Sequence, residues 1–143
     1  MTDHNPQTPT RAHIRNNLVV FAIYLLLAVV ITWPVTANLN TAFIGAPESD
    51  AYEYAHHMWY YGYALANGLP VFEHPLLAYP AGLPGAWLWA IPLQSFPAAL
   101  LRGVMPLPVA YNLTALFRLA LNGWATYFLV RRLLDGTHGE RLT

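Results

Sequence analysis

Two long apolar runs dominate the pattern of the sequence. The first begins at Leu18, after a polar stretch, and carries no charge as far as Trp33. Extended over residues 18–37, it gives about 30 Å of helix, which matches the thickness of a bilayer core. The second run covers residues 107–130 and has Pro108 at a first-turn position, where proline is favoured. The pattern therefore predicts transmembrane helices over residues 18–37 and 107–130.

The first run has a competing interpretation as a secretory signal peptide. Val35, Thr36 and Ala37 have small side chains at the spacing of a cleavage site. The apolar run is longer than the core of a usual signal peptide, and this length favours an uncleaved anchor.

A third apolar run, over residues 85–101, is predicted not to cross the membrane. Pro92 and Pro97 interrupt it, and Gln94 lies between them. Each interior proline removes a backbone hydrogen bond, and lipid supplies no replacement partner. A third crossing would also place the pair Arg131-Arg132 outside, against the positive-inside rule. We therefore expect two crossings, with the third run in the membrane interface.

The predicted organisation has five parts, with both termini cytoplasmic and the protein in the plasma membrane. They are a disordered tail (1–17), a first transmembrane helix (18–37), an external loop (38–106), a second transmembrane helix (107–130) and a second tail (131–143). Within the loop, helices are predicted near residues 51–66 and 85–102.

The first loop helix has recognisable ends and an aromatic stripe. Asp50 and Glu53 have the spacing of a capping box, and Asn67-Gly68 before Pro70 is typical of a helix C-terminus. One stripe at helical spacing is expected at headgroup level; it contains Tyr52, Ala55, Trp59, Tyr63 and Ala66.

Composition supports a membrane protein and excludes several other classes. Hydrophobic residues make up 56% of the chain, charged residues only 10%, and there is no lysine. A water-facing surface usually carries about a quarter or more charged residues. No basic patch exists, so a nucleic-acid partner is not expected, and the absence of cysteine excludes disulfides. The fold class predicted is an all-α membrane protein with external amphipathic and juxtamembrane helices.

Acidic residues and histidines in the external loop are candidates for chemistry. Glu48 and Asp50 can bind a divalent cation, or one of them can accept a proton, although Asp50 can also simply cap the helix. His56 and His57 are adjacent and point in different directions on a helix, which favours hydrogen bonding over metal ligation. His74 follows Glu73 in a proline-rich loop and has equally weak support as a ligand.

Arg118 lies near the middle of the second predicted span. An arginine there costs roughly 2.5–3.5 kcal/mol on insertion scales, so it is expected to face protein or a cavity and to pair with an anion. The anion is a carboxylate or a lipid-linked phosphate, and a structural pair with another helix is the alternative. Asn112-Leu113-Thr114 matches a glycosylation sequon, but it lies inside the predicted span and is discarded.

The order of these features resembles the N-terminal part of the GT-C superfamily of polytopic membrane glycosyltransferases. The likeness is to bacterial relatives of protein mannosyltransferases and aminoarabinose transferases, and it covers about residues 18–134. The matching features, in order, are the first helix, the acidic Pro47-Glu48-Ser49-Asp50, the helix over 51–66, Phe72-Glu73-His74-Pro75, the run over 85–101, and Val130-Arg131-Arg132-Leu133 at the end of the second helix.

The resemblance implies transfer of a sugar from a polyprenyl-phosphate donor to an acceptor at the outer face. Asp50 would be the general base or metal-binding acid, Glu48 its helper, and Arg118 a ligand for the lipid phosphate. His57, Glu73 and His74 are the further candidates for substrate binding.

Members of that superfamily carry many more membrane helices, which complete the donor site. The expectation is therefore an N-terminal fragment of an incomplete GT-C-like bundle, inactive alone, whose partners are membrane lipid, the lipid-linked sugar and later helices of the same polypeptide. Two rivals remain: a small two-helix membrane protein that binds a partner or lipid without catalysis, and the first part of a transporter-like protein.

Overall fold

The computed structural model describes residues 11–46, 49–84 and 92–140. These residues form four α-helices, one short 3-10 helix and one two-stranded antiparallel sheet. In chain order the elements are α1 (Arg11–Ile31), the 3-10 helix (Val35–Asn38), α2 (Ala51–Asn67), β1 (Glu73–His74), β2 (Leu83–Pro84), α3 (Pro92–Leu101) and α4 (Leu107–Glu140). The chain divides into two compact units: the first contains residues 11–30 and 119–140, and the second is Ile31–Arg118.

Two of the described helices are long and apolar enough to span a membrane. The qualifying segments are Ile14–Ile31 in α1 and Leu107–Asp135 in α4. The ten described residues of α3, about 15 Å of helix, do not form such a segment. Most large apolar side chains of α1 are not covered by other residues of the chain, whereas the core helix of a soluble protein would bury them. The chain is thus mostly helical, with two candidate membrane spans.

The first candidate span is displaced from its predicted position. Helix α1 begins at Arg11, inside the stretch that was predicted to be a disordered tail, and it ends at Ile31, six residues before the predicted limit. Pro34 explains the early end, because proline lacks the backbone donor and its ring clashes with the preceding turn. The chain continues instead as the 3-10 helix Val35–Asn38. Residues 1–10 of the predicted tail lie outside the described residues.

The second candidate span begins where it was predicted, at Leu107, with Pro108 in the first turn. It does not end at Val130, because α4 continues past Arg131 to Glu140. In the third apolar run, the structure describes α3 over Pro92–Leu101. Residues 85–91, which include the predicted short helix around Trp87, lie outside the described residues.

In the first unit, α1 and α4 approach closely at small residues. Ala28 and Ala120 are both buried, and a Cβ added to Gly123 would overlap the ring of Tyr24. The indole N–H of Trp124 donates a hydrogen bond to the Asn17 carbonyl at 3.3 Å. Small residues at a contact allow helix backbones to approach each other, which is how helices associate in lipid.

In the second unit, α2 is the central element, and its buried face differs from the predicted aromatic stripe. The buried residues are Ala51, Ala55, His57, Met58, Tyr60, Tyr61 and Ala64. Of the predicted stripe, Ala55 is buried, Trp59 and Tyr63 are half-buried and stack on each other, and Tyr52 and Ala66 are exposed. The predicted stripe is therefore not one continuous exposed face, because the hairpin and α3 cover much of this helix; its position at headgroup level stays a prediction.

The C-terminus of α2 was predicted correctly. Gly68 adopts the left-handed conformation, with φ 63°, and its N–H donates to the Ala64 carbonyl. The N–H of Leu69 donates to the same carbonyl at 2.9 Å. Glycine is favoured here because it has no Cβ to clash in this conformation.

Helix α3 packs against α2 in the second unit. The rings of Tyr61 and Phe96 stack with their centroids 6.1 Å apart. Arg102, just beyond α3, lies over Gly62 and donates from Nη1 to the Trp59 carbonyl at 2.6 Å. Gly62 has no side chain to obstruct this arginine, so the guanidinium can reach the backbone of α2.

Candidate functional site

The loop that leads to α2 is held against α4 by one buried amide. Asn112 is fully buried, and its Oδ1 accepts a hydrogen bond from the Ile44 N–H at 2.8 Å. Its Nδ2 donates to the carbonyls of Leu39, at 3.0 Å, and Ala42, at 2.7 Å. Both ends of the side chain are therefore satisfied, and three backbone groups of one loop depend on it.

Aromatic contacts complete the junction between this loop, α2 and α4. Phe43 makes edge-to-face contacts with Tyr52 and Tyr111, with ring centroids 5.7 and 5.2 Å apart. The hydroxyl of Tyr111 donates to the Ile44 carbonyl at 3.2 Å. At Gly45 the loop comes so close to α2 that an added Cβ would lie 2.7 Å from the Ala51 Cβ. This junction fixes the position at which α2 begins.

Asp50 lies at the N-terminus of α2 and does not act as its predicted cap. The side chain makes no capping hydrogen bond, and the residue is exposed. The Ser49 hydroxyl oxygen accepts instead from the Ala51 N–H, at a long 3.4 Å. Glu53 does not complete a capping box with Asp50, because its carboxylate contacts His57 Nε2 at 3.3 Å. The predicted partner acid, Glu48, lies outside the described residues.

Two histidines join α2 to the hairpin. The Nε2 atoms of His56 and His74 are 2.9 Å apart, and the two rings are nearly parallel, with 13° between their planes. His74 is 1% exposed, and its ring stacks on that of Tyr60 with ring centroids 3.7 Å apart. The edge of His57 points toward His74 at a centroid distance of 6.4 Å. Three histidines thus meet in one cluster, in which His57 and His74 are buried and His56 is half-buried.

Tyr60 anchors the hairpin from the same side. Its hydroxyl is within hydrogen-bonding distance of two carbonyl oxygens, that of Glu73 at 2.6 Å and that of Pro70 at 3.1 Å. Burial raises the pKa of the Tyr60 phenol, and the nearby carboxylate of Glu73 raises it further. The phenol therefore remains a neutral donor through the physiological range of pH.

The environment of the histidine cluster disfavours positive charge. Burial lowers the pKa of both His56 and His74, the proximity of His57 lowers both further, and the proximity of His56 also lowers the pKa of His74. In the part of the chain that the structure describes, the Nδ1 atoms of His57 and His74 are buried without a hydrogen-bond partner. Beside the cluster, a cavity of about 330 Å³ is lined by hairpin residues that include Glu73, His74 and Gly82.

Some of the predicted site residues are brought together and others are kept apart. His57 and His74 adjoin, and Glu73 contributes a carbonyl to the same region while its side chain is exposed. Asp50 lies about 10 Å from His57 along the helix axis, since seven residues separate them. Arg118 is half-buried on α4, about 9 Å along that helix from Asn112.

Three residues that shape the site were not predicted to do so. For His56 the sequence favours hydrogen bonding but names no partner, and it assigns no role to Tyr60. Asn112 was noticed as part of a sequon inside an apolar run; a polar amide in such a run was itself a signal of a buried hydrogen-bonding role. Among residues 11–46, 49–84 and 92–140, no group of three or more His, Asp or Glu side chains is placed to hold a metal ion. The predicted cation site of Glu48 and Asp50 involves a residue outside these ranges.

Comparison of the chain with protein-family models, with curated proteins and with solved structures gives no match.

Proposed function

We propose that this chain carries the general base of a membrane glycosyltransferase that uses a polyprenyl-phosphate-linked sugar. The observation that supports this function best is the state of Asp50. Its carboxylate is exposed at the start of α2 and makes no capping hydrogen bond. A carboxylate at a helix N-terminus that is not used for capping is available to accept a proton from a substrate.

The proposed reaction is a displacement at the anomeric carbon of the sugar. The acceptor hydroxyl oxygen forms a bond to that carbon as Asp50 takes the hydroxyl proton. The bond between the anomeric carbon and the phosphate oxygen breaks, and the electron pair leaves with the polyprenyl phosphate. Asp50 then releases its proton to solvent. No oxidant, reductant or further reactant is required.

The surroundings of Asp50 support a defined position for such a base. Asp50 directly precedes Ala51, which is buried in a core cluster with Tyr111 and Ala115 of α4. Asn112 holds the preceding loop to the same helix through three hydrogen bonds. Since a misplacement of about 1 Å can cost a catalyst about 100-fold, a base benefits from attachment to such a junction.

The resemblance to membrane glycosyltransferases also implies roles for other residues of the chain. Arg118 would bind the phosphate of the donor, as the resemblance implies. His57, Glu73 and His74 would contact the acceptor or the sugar. Glu48 would assist Asp50, and a divalent cation would bind between these two acids if the reaction uses one. Both termini would be cytoplasmic, with Asp50 and the histidines at the outer face.

The proposal is tested in membranes from cells that express the full-length protein. The donors are polyprenyl-phosphate mannose, arabinose and glucose, each radiolabelled in the sugar, and the readout is label in membrane-associated acceptor. Asp50→Asn is expected to reduce transfer at least about 100-fold, because general-base catalysis contributes about 10²–10⁴-fold. The matched control is Asp135→Asn, an exposed acid on α4, which should leave transfer within twofold of the unsubstituted protein.

Two outcomes would contradict the proposal. One is transfer by Asp50→Asn at near the original rate, which would leave Asp50 without a catalytic role. The other is the absence of transfer by the unsubstituted protein with all three donors. That result would favour a non-catalytic binding protein, for which the structure offers a specific surface. The hairpin region exposes three large apolar side chains: Phe72 is 59% exposed, Leu76 54% and Tyr79 85%.

A further inference from the structure

We infer that His56 and His74 form a proton-sensitive clasp that releases the hairpin arm, residues 69–84, from α2 when the pH falls. This inference is independent of the proposed glycosyltransferase activity. It concerns how the second unit is held together, and its test requires no substrate.

The contact between the two rings permits only certain protonation states. The Nε2 atoms are 2.9 Å apart, a distance at which one nitrogen must carry a hydrogen and the other must offer its lone pair. Two neutral rings satisfy this requirement. If both rings are charged, each Nε2 carries a hydrogen, and two donors then face each other with two positive charges in contact. The closed clasp therefore excludes the doubly protonated state.

The two histidines differ in how easily they take a proton. The first proton can bind to Nδ1 of the half-exposed His56, which leaves its Nε2–H free to donate to His74. With His56 charged, the Nε2 of His74 has to be the acceptor at this 2.9 Å contact, so the second proton must bind to that atom, on a side chain that is only 1% exposed. The second proton therefore breaks the clasp, so release is expected below the pH at which the first proton binds.

The charged groups around the clasp do not remove this constraint. On α2, Glu53 contacts His57 rather than His56, and its side chain is 58% exposed. The Glu73 side chain of the hairpin is exposed as well, so water weakens its attraction for a buried charge. From the side of α3, Arg102 reaches the Trp59 carbonyl, and because it is positively charged it cannot favour a second proton on the histidines. Tyr60 stays neutral and contributes no charge.

The size of the effect follows from the difference in proton binding. In the released arm, His74 is exposed and has an ordinary pKa of about 6.5. Each pH unit below this value favours the released state by about tenfold, as long as the closed state does not take the second proton. Half of the released His74 side chains are already protonated at pH 6.5, so between pH 6.5 and pH 5.0 the ratio of released to closed arms is expected to rise about 16-fold.

The absence of native cysteine allows a direct test. Val71 is half-buried and packs on the cluster formed by Tyr60, Tyr61 and Ala64, so Val71→Cys reports release of the arm. Leu65 lies on α2 and is 71% exposed, so Leu65→Cys is the matched control. Each single-cysteine protein, in detergent micelles, is labelled with N-ethylmaleimide at pH 8.0 to 5.0. The ratio of the two labelling rates cancels the pH dependence that both thiols share.

The ratio is expected to be nearly constant from pH 8.0 to 7.0 and to rise about 16-fold between pH 6.5 and 5.0. His74→Gln, added to Val71→Cys, should abolish the rise, since glutamine can hydrogen-bond but does not titrate. This variant also removes the ring that stacks on Tyr60, so His56→Gln, at a half-exposed position, is the second variant and should abolish the rise as well. A constant ratio in the original sequence, or a rise that persists in both variants, would overturn the inference.

Discussion

Replacement of Asn112 by leucine tests whether this buried amide holds the loop before α2. The two side chains have similar size, and leucine favours helix at least as well, so the change mainly removes hydrogen bonds. Three are lost: one accepted from Ile44 and two donated to the carbonyls of Leu39 and Ala42. At about 1 kcal/mol net for each, the loop should be destabilised by about 3 kcal/mol. That value corresponds to roughly a 100-fold increase in local opening.

Amide hydrogen exchange measures this opening directly. The amides of Thr41 and Ala42 are the best reporters, because both donate to the Asn38 carbonyl and therefore keep their acceptor in the variant. Their exchange should become roughly 100-fold faster in Asn112→Leu. The matched control is Asn122→Leu, an exposed position on the same helix, where exchange in the loop should not change.

Two results would refute the reasoning about Asn112. One is an increase in exchange of less than about threefold, and the other is an equal increase in the Asn122→Leu control. Asn112→Asp sharpens the test, because it keeps the acceptor for Ile44 but turns a carboxylate toward two carbonyl oxygens. In Asn112→Asp, exchange in the loop before α2 should be faster than in Asn112→Leu at neutral pH. It should slow in acid, when the protonated carboxyl can donate one hydrogen bond.

Three further substitutions test other contacts. Gly45→Ala should destabilise the second unit by about 1–3 kcal/mol, since the new methyl would lie 2.7 Å from the Ala51 Cβ; unchanged thermal unfolding in micelles would contradict this. Gly123→Ala should separate α1 from α4 by overlap with the Tyr24 ring, and it should reduce protection of α1 from hydrogen exchange; equal protection would refute the contact. Tyr60→Phe removes the donor shared by two hairpin carbonyls and should speed exchange in the hairpin about tenfold, for a loss of about 1–2 kcal/mol; a change of less than twofold would count against it.

The sequence by itself determined the elements whose signals are local. The length and apolarity of two runs predicted two long helices, and α4 begins at Leu107 as expected because Pro108 suits a first turn. Gly68 marked the end of α2, since a left-handed residue is needed there and glycine adopts it without strain. Pro34 could have marked the end of α1, but the apolar run continues past it and concealed this signal.

Only the tertiary structure decided how the polar residues are used. Asp50 had the spacing of a cap, yet its carboxylate is left exposed, and Glu53 pairs with His57 instead. The contact between His56 and His74 joins residues eighteen positions apart, and that between Asn112 and Leu39 joins residues seventy-three apart. The physical reason is the distance along the sequence over which each interaction acts. Helix length, proline and glycine act through the backbone within a turn or two, whereas the partner of a buried polar group depends on which distant segment packs against it.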